Sequence, residues 1–290
     1  MKRPETLDLS QLTVTRHDRD AAGMRYVYPV LSRRARGLSI GINLNPNNAC
    51  NWRCRYCQVP NLTRGTSPAI DLRWLERELE VMAEMVLRGS IASANPDQAP
   101  GRPRDFSISG NGEPTTCREL MEVLELVATK REQYFASPPV PIVLITNGSL
   151  VDRPKVQACL RRLGELGGEV WFKLDAGSDE GQRWVNGTRT SLERQVQRLS
   201  ASAALCQTWV QTCWFEVENC PPEPAEVDGY LDALARAVDS GAPLAGVLLY
   251  SIARQPELPE GAALSPVDAT WLKQLAVRIK GLGLEARVTP

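Results

Sequence analysis

The feature that most constrains the fold is a rhythm. Short, β-branched apolar runs alternate with amphipathic stretches of helical length, the pattern expected of βα units wound around a parallel sheet. Strands are predicted at "LSIGINL" 38–44, "DFSIS" 105–109, "PIVLIT" 141–146, "VWFKLD" 170–175, "WVQTCWFEV" 209–217 and "GVLLYSI" 246–252. Helices are predicted between and after them, at 71–88, 117–133, 153–166, 191–205, 225–240 and 266–281. Asp71 is placed to cap the first, Pro154 to open the third, and Gly241 and Gly281 to end the last two. The Pro-rich stretch 93–105 is a loop, because the rhythm resumes directly after it. With 290 residues, 43% of them apolar, the chain can bury the core of one large domain. The expected architecture is α/β: one (βα)6 unit over residues 38–290, with residues 1–37 an N-terminal extension packing on it.

In such sheets ligands collect at the C-terminal strand ends, which gives the remaining motifs addresses. After the first strand comes "NACNWRCRYCQVP", placing Cys50, Cys54 and Cys57 within eight positions. Three thiols at this spacing suggest a metal with one coordination position open, since closed structural sites use four ligands. After the second strand comes "SGNGEPT" 109–115. It is a good turn, and beside an open metal site it becomes more: Gly112 lets backbone approach a ligand and Glu113 is an acceptor suited to an ammonium group. "TNGS" 146–149, with Thr146 and Asn147, follows the third strand. At the end of the fourth, the two-residue period puts Trp171, Lys173 and Asp175 on one face and Val170, Phe172 and Leu174 on the other. The apolar face should lie under helices, turning Lys173 and Asp175 inward as candidate catalytic or binding groups; an internal ion pair is the alternative.

Formal charge is zero overall but uneven, with 12 Lys and Arg against 5 Asp and Glu in residues 1–73. Arg33, Arg34, Arg36, Arg53, Arg55 and Arg64 surround the cysteine segment, suiting either an anionic partner such as RNA or plain solvation. The start "MKRPETLDLSQL" has no apolar run behind its basic residues and no stretch approaches a membrane span, so neither secretion nor membrane insertion is expected. Eight cysteines, three clustered and the rest scattered, do not form a disulfide framework, and a reducing cytoplasm is the expected compartment.

C-x3-C-x2-C, with Tyr56 before the last cysteine and Gly-Glu-Pro after the next strand, resembles the radical S-adenosylmethionine (SAM) superfamily. The resemblance implies a partial, TIM-like (βα)6 barrel. It also implies an oxygen-sensitive 4Fe–4S cluster on Cys50, Cys54 and Cys57, with SAM at the open iron and an external electron donor such as flavodoxin or ferredoxin. Carried across, Tyr56 would lie against the adenine through its backbone. Gly110, Asn111, Gly112, Glu113 and Pro114 would hold the methionine amine, and Lys173 and Asp175 would serve the carboxylate, the ribose or the substrate. "YPVLSRRARGLSIGINLNPNNACNWRCRYCQ", "SGNGEPT", "FKLDA" and "LLYSIARQP" are similar to radical SAM proteins related to tRNA wyosine synthesis enzymes. Those enzymes use a second cluster ligated partly by N-terminal cysteines, and this sequence has none before Cys50. The resemblance therefore implies a reaction class more than a substrate: RNA is one candidate, a peptide or small metabolite another. Outside that class stand a zinc-binding module, which would need Cys117 or His17 as fourth ligand, and a catalytically silent scaffold. Cys206, Cys213 and Cys220 lie along a predicted strand, too far apart to share one cluster, and are expected to be unpaired, as are Cys117 and Cys159.

Overall fold

A computed structural model describes residues 23–91 and 102–289. Residues 1–22, including His17, and most of the Pro-rich loop lie outside that description. Each of the six expected strands is present: β2 (Gly37–Asn43), β5 (Asp105–Ser109), β6 (Ile142–Thr146), β7 (Glu169–Lys173), β8 (Gln207–Val217) and β9 (Leu244–Ser251). They pair in parallel, in chain order. The crossovers are α1 (Leu72–Leu87), α2 (Leu120–Phe135), α3 (Pro154–Glu165), α5 (Leu192–Ala203) and α6 (Pro224–Asp239), and α7 (Ala269–Lys280) follows β9. Asp71 does cap α1, accepting a hydrogen bond from the Trp74 amide at 3.1 Å, a contact worth about 1 kcal/mol.

Alternation in the strands sorts the two faces of the sheet. Ile40 and Ile42 of β2, Phe106 and Ile108 of β5, Val170 and Phe172 of β7, and Val247 and Leu249 of β9 are all buried against the helices in one continuous core. Their neighbours in sequence face the concave side. There Val143, Trp171, Trp209 and Leu248 form a separate apolar cluster, while polar residues from β2, β5, β7 and β8 line the space above it. The sheet is curled: the Arg33 guanidinium donates at 3.3 Å to the carbonyl of Ser251, joining the turn before β2 to the end of β9.

Five strands and one helix go beyond the predicted rhythm. β1 (Val27–Ser32) runs antiparallel to β2 along its whole length, and its Pro29 is tolerated because β1 is an edge. Glu78 of α1 holds the start of this strand, accepting from the amides of Arg25, Tyr26 and Val27 and from the Trp74 indole. β11 (Ala286–Thr289) extends the sheet beyond β9, and β10 (Leu264–Pro266) pairs antiparallel with β8. The pair β3 (Ala49–Cys50) and β4 (Thr63–Arg64) clasps the base of the cysteine loop. The two-turn helix α4 (Asp179–Asn186) packs against that loop, capped by Ser178 and ended by Gly187 in the left-handed region at φ 60°. No helix among the described residues is long and apolar enough to cross a membrane.

Candidate functional site

The cysteine loop is held mainly by contacts of its backbone and arginines. The amides of Arg53 and Arg55 donate to the carbonyls of Asn186 and Val185 at 3.0 and 2.8 Å, and Glu257 donates to Cys57 at 2.9 Å. Arg53 pairs with Glu260, Arg55 donates to the carbonyls of Trp184 and Glu260, and Arg64 donates to those of Asn51 and Gly187. These arginines, which the charge distribution offers to an anionic partner, are therefore engaged in fixing the loop. Gly187 has to be glycine on two counts: its backbone is left-handed, and a Cβ there would lie 2.8 Å from the Arg53 carbonyl.

Cys50, Cys54 and Cys57 line one wall of a cavity of about 300 Å³ on the concave face. Burial pushes the Cys50 thiol up to about 12 and that of Cys54 further still, so their thiolates need a cation beside them. Three thiols lining one cavity are a donor set that fits an iron–sulfur cluster, in which each thiolate takes its own iron.

The second wall comes from the β5 and β6 ends. Gly110, Gly112, Glu113, Thr146 and Asn147 all line the cavity. A Cβ at Gly112 would lie 2.1 Å from the Ala49 carbonyl, so this turn is pressed directly onto the strand that carries Cys50. Glu113 is buried and joins the two strand ends. One carboxylate oxygen accepts from the Thr115 amide, the Thr115 hydroxyl and the Thr146 hydroxyl, while the other, among the described residues, accepts only from the Asn147 amide at 2.6 Å. That second oxygen keeps a lone pair for a ligand. Burial pushes the Glu113 carboxyl upward, and the four donors oppose that push. Asn111 and Pro114 do not line the cavity: the Asn111 amide and side chain bond to Asn43 and Asn48, and Pro114 opens a single 3-10 turn.

Lys173 and Asp175 both turn inward, but differently. Lys173 lines the cavity, with its amine 2.9 Å from the Tyr250 hydroxyl and 3.7 Å from Asp175. Burial lowers the Lys173 amine, but Asp175 together with Tyr250, Cys213 and Cys54 outweighs it, so the net shift is upward and the group stays protonated. Asp175 lies behind this wall with a fully buried side chain. It accepts from the Tyr56 hydroxyl at 2.5 Å, the Asn186 amide group at 2.9 Å and the Cys213 backbone at 2.9 Å. Asn186 also donates to the Cys54 sulfur at 3.4 Å. Through these bonds Asp175 fixes the Tyr56 hydroxyl and, by way of Asn186, contacts the cysteine loop. Tyr56 lines the cavity, its ring 5.0 Å from the Lys173 amine.

Sequence reasoning passed over several residues here. Asn43 and Asn45 lock the turn between β2 and β3, with Asn43 accepting from the amides of Asn45 and Asn111 and Asn45 donating to the Ala49 carbonyl. Gln195 of α5 ties the β6 and β7 ends together through the carbonyls of Asn147 and Lys173. Arg34, Asp105 and Gln211 also line the cavity. The alternation of "DFSIS" and "WVQTC" carried that signal for Asp105 and Gln211, because Phe106 and Val210 beside them are apolar and face the helices. Arg34 is one of the arginines that the charge distribution offers to an anionic partner, and for Gln195 no local signal exists.

A curled, mainly parallel sheet bearing a three-cysteine loop and a Gly-Glu-Pro turn over one cavity defines an open α/β barrel with its candidate site at the C-terminal strand ends. The family model for the Radical SAM superfamily matches residues 44–207, more than half of the chain, and the chain belongs to that superfamily. It is 33% identical over 150 residues to a UPF0026 protein of Helicobacter pylori, a match covering 51% of this chain and 41% of that protein. With a UPF0026 protein of Methanocaldococcus jannaschii it shares 28% over 158 residues, covering 54% and 42%. The chain thus spans about two fifths of these curated relatives. Among solved structures, a cysteine mutant of spore photoproduct lyase superposes with a TM-score of 0.51 at 12% identity, over 83% of this chain and 74% of that one, a likeness of fold.

Proposed function

We propose that the protein is a radical SAM enzyme. It would bind a 4Fe–4S cluster on Cys50, Cys54 and Cys57 and accept an electron from a carrier such as flavodoxin or ferredoxin. The observation that carries this reading is the convergence of those cysteines, the Gly-Glu-Pro turn and Lys173 on one cavity. When bound and reduced, the cluster supplies the electron that cleaves SAM to methionine and a 5′-deoxyadenosyl radical, which takes hydrogen from the substrate. The chain's residues supply binding and enclosure. The open lone pair of Glu113 suits the methionine amine, Gly110 and Gly112 allow backbone approach, and Lys173 suits a carboxylate or ribose oxygen. Tyr56, held by Asp175, closes the wall beside the cysteines. The eight free cysteines suit a reducing cytoplasm. RNA as substrate rested on the arginines near the cysteines, and three of those are engaged in holding the loop, so a small metabolite is the better-supported substrate class.

The test is anaerobic reconstitution with iron and sulfide. About four irons per chain are expected, together with 5′-deoxyadenosine formation on adding SAM and dithionite. Cys54→Ala should lose both, and Glu113→Ala should retain iron while binding SAM more weakly. Zinc in place of iron, or a reconstituted cluster that never cleaves SAM, would overturn the reading.

A further inference from the structure

Away from the cysteines, the same cavity ends in a group of side chains that the reading above does not use. Arg34, in the turn between β1 and β2, lies 5.4 Å from the Trp171 ring and 4.8 Å from the Tyr250 ring. Among the described residues it has no carboxylate partner and no side-chain hydrogen bond, unlike Lys173, which Asp175 neutralises. A guanidinium supported on aromatic faces keeps its N–H edge free for a planar, bidentate anion. Asp105 lines the same cavity, buried and accepting from the Ser39 hydroxyl. Gln211, at 1% exposure, lines the cavity beside Lys173, its register partner on β7, and its amide nitrogen is buried with no hydrogen-bond partner. A buried amide left unpaired is destabilising until a ligand pairs it. Cation, carboxylate and amide thus face one space, each with unfilled hydrogen-bonding capacity.

We infer that Arg34, Asp105 and Gln211 form a substrate subsite for a small molecule bearing a carboxylate or phosphate. Arg34 takes the anionic group, while Gln211 and Asp105 bind polar groups nearer the middle of the molecule. The inference rests on the radical SAM reading for the meaning of the other end of the cavity, but the binding itself does not. Two features limit the occupant to a small molecule. The apolar cluster of Val143, Trp171, Trp209 and Leu248 sits on the concave face beneath the polar lining, and the turn carrying Arg34 bridges to the end of β9 through Arg33 and Ser251. The base of the cavity is therefore apolar, and its volume is at the small-ligand end of binding sites.

The experiment uses the reconstituted full chain with three probes, acetate, inorganic phosphate and total tRNA, read by ligand-observed NMR for the small anions and by filter binding for tRNA. Saturable binding of acetate or phosphate is expected, and the tighter of the two identifies the anionic group. Arg34→Gln should weaken it by about tenfold or more, and Arg36→Gln, exposed in the same turn, should match wild type. Arg34→Lys, which keeps charge but loses the fork, should fall between, and it serves if the glutamine variant does not fold. No binding of either anion, binding indifferent to Arg34, or tRNA binding that alone depends on Arg34 would each overturn the inference. Failure of wild-type protein to cleave SAM would count against the proposed function and leave this binding result readable.

Discussion

Asp105 shows what one buried carboxyl costs. Burial pushes it up from 3.8 to about 6, with Glu169 adding to the rise and Ser39 and Arg34 opposing it. Between those two values the native chain holds a proton that the unfolded chain has released, so stability falls as pH rises through the window. Above about pH 6 the full penalty, about 3 kcal/mol, is in place. Asp105→Asn should therefore be more stable than wild type in urea melts at about pH 8, by up to that amount, with the difference closing toward about pH 4. A variant no more stable at alkaline pH would mean that Arg34 already compensates the charge. A stability sacrifice at this point is what a binding group, kept for an occupant, is expected to show. The rule that located Lys173 also covered Asp105 and Gln211. Asn186 and Gln195 stayed hidden, because their partners are 132 and 48 residues away in sequence and only the fold brings them together.

At the scale of elements, β1 depends on a single side chain of α1. The carboxylate of Glu78 accepts three backbone amides at the start of that strand, and with the Trp74 indole it is left with little spare capacity. Removing it strands buried donors. Glu78→Ala should lower stability by about 2–4 kcal/mol in denaturant, and hydrogen exchange should accelerate first in residues 25–31. Exchange rising uniformly over the sheet would show that β1 is not a separate unit. Strands β2 and β5 to β9 were legible because each has a helix-facing row of β-branched or aromatic residues. β1 was not, since Pro29 interrupts its pattern and an edge strand needs no such row. α4 escaped because its two turns, "DEGQRWVN", carry too few apolar residues to show a period.

For the whole molecule, the remaining cysteines are scattered around the barrel. Cys117 and Cys159 belong to the helix-side core, Cys206 precedes β8, and Cys220 is exposed beyond it. Replacing Cys117, Cys159, Cys206 and Cys220 together should leave about four irons per chain, at the cost of about 1 kcal/mol for each buried thiol lost. Iron falling by half would reveal a second cluster. Cys213 is left out of that variant because it lines the cavity.

The clasp of β3 and β4, with Arg53, Arg55 and Arg64 tied to α4 and to residues 257–260, gives the cysteine loop a shape that comes from its own chain. Oxidative loss of the iron would then remove chemistry without melting the loop that receives it. The same folded chain is then expected to take up iron and sulfide again without being unfolded first.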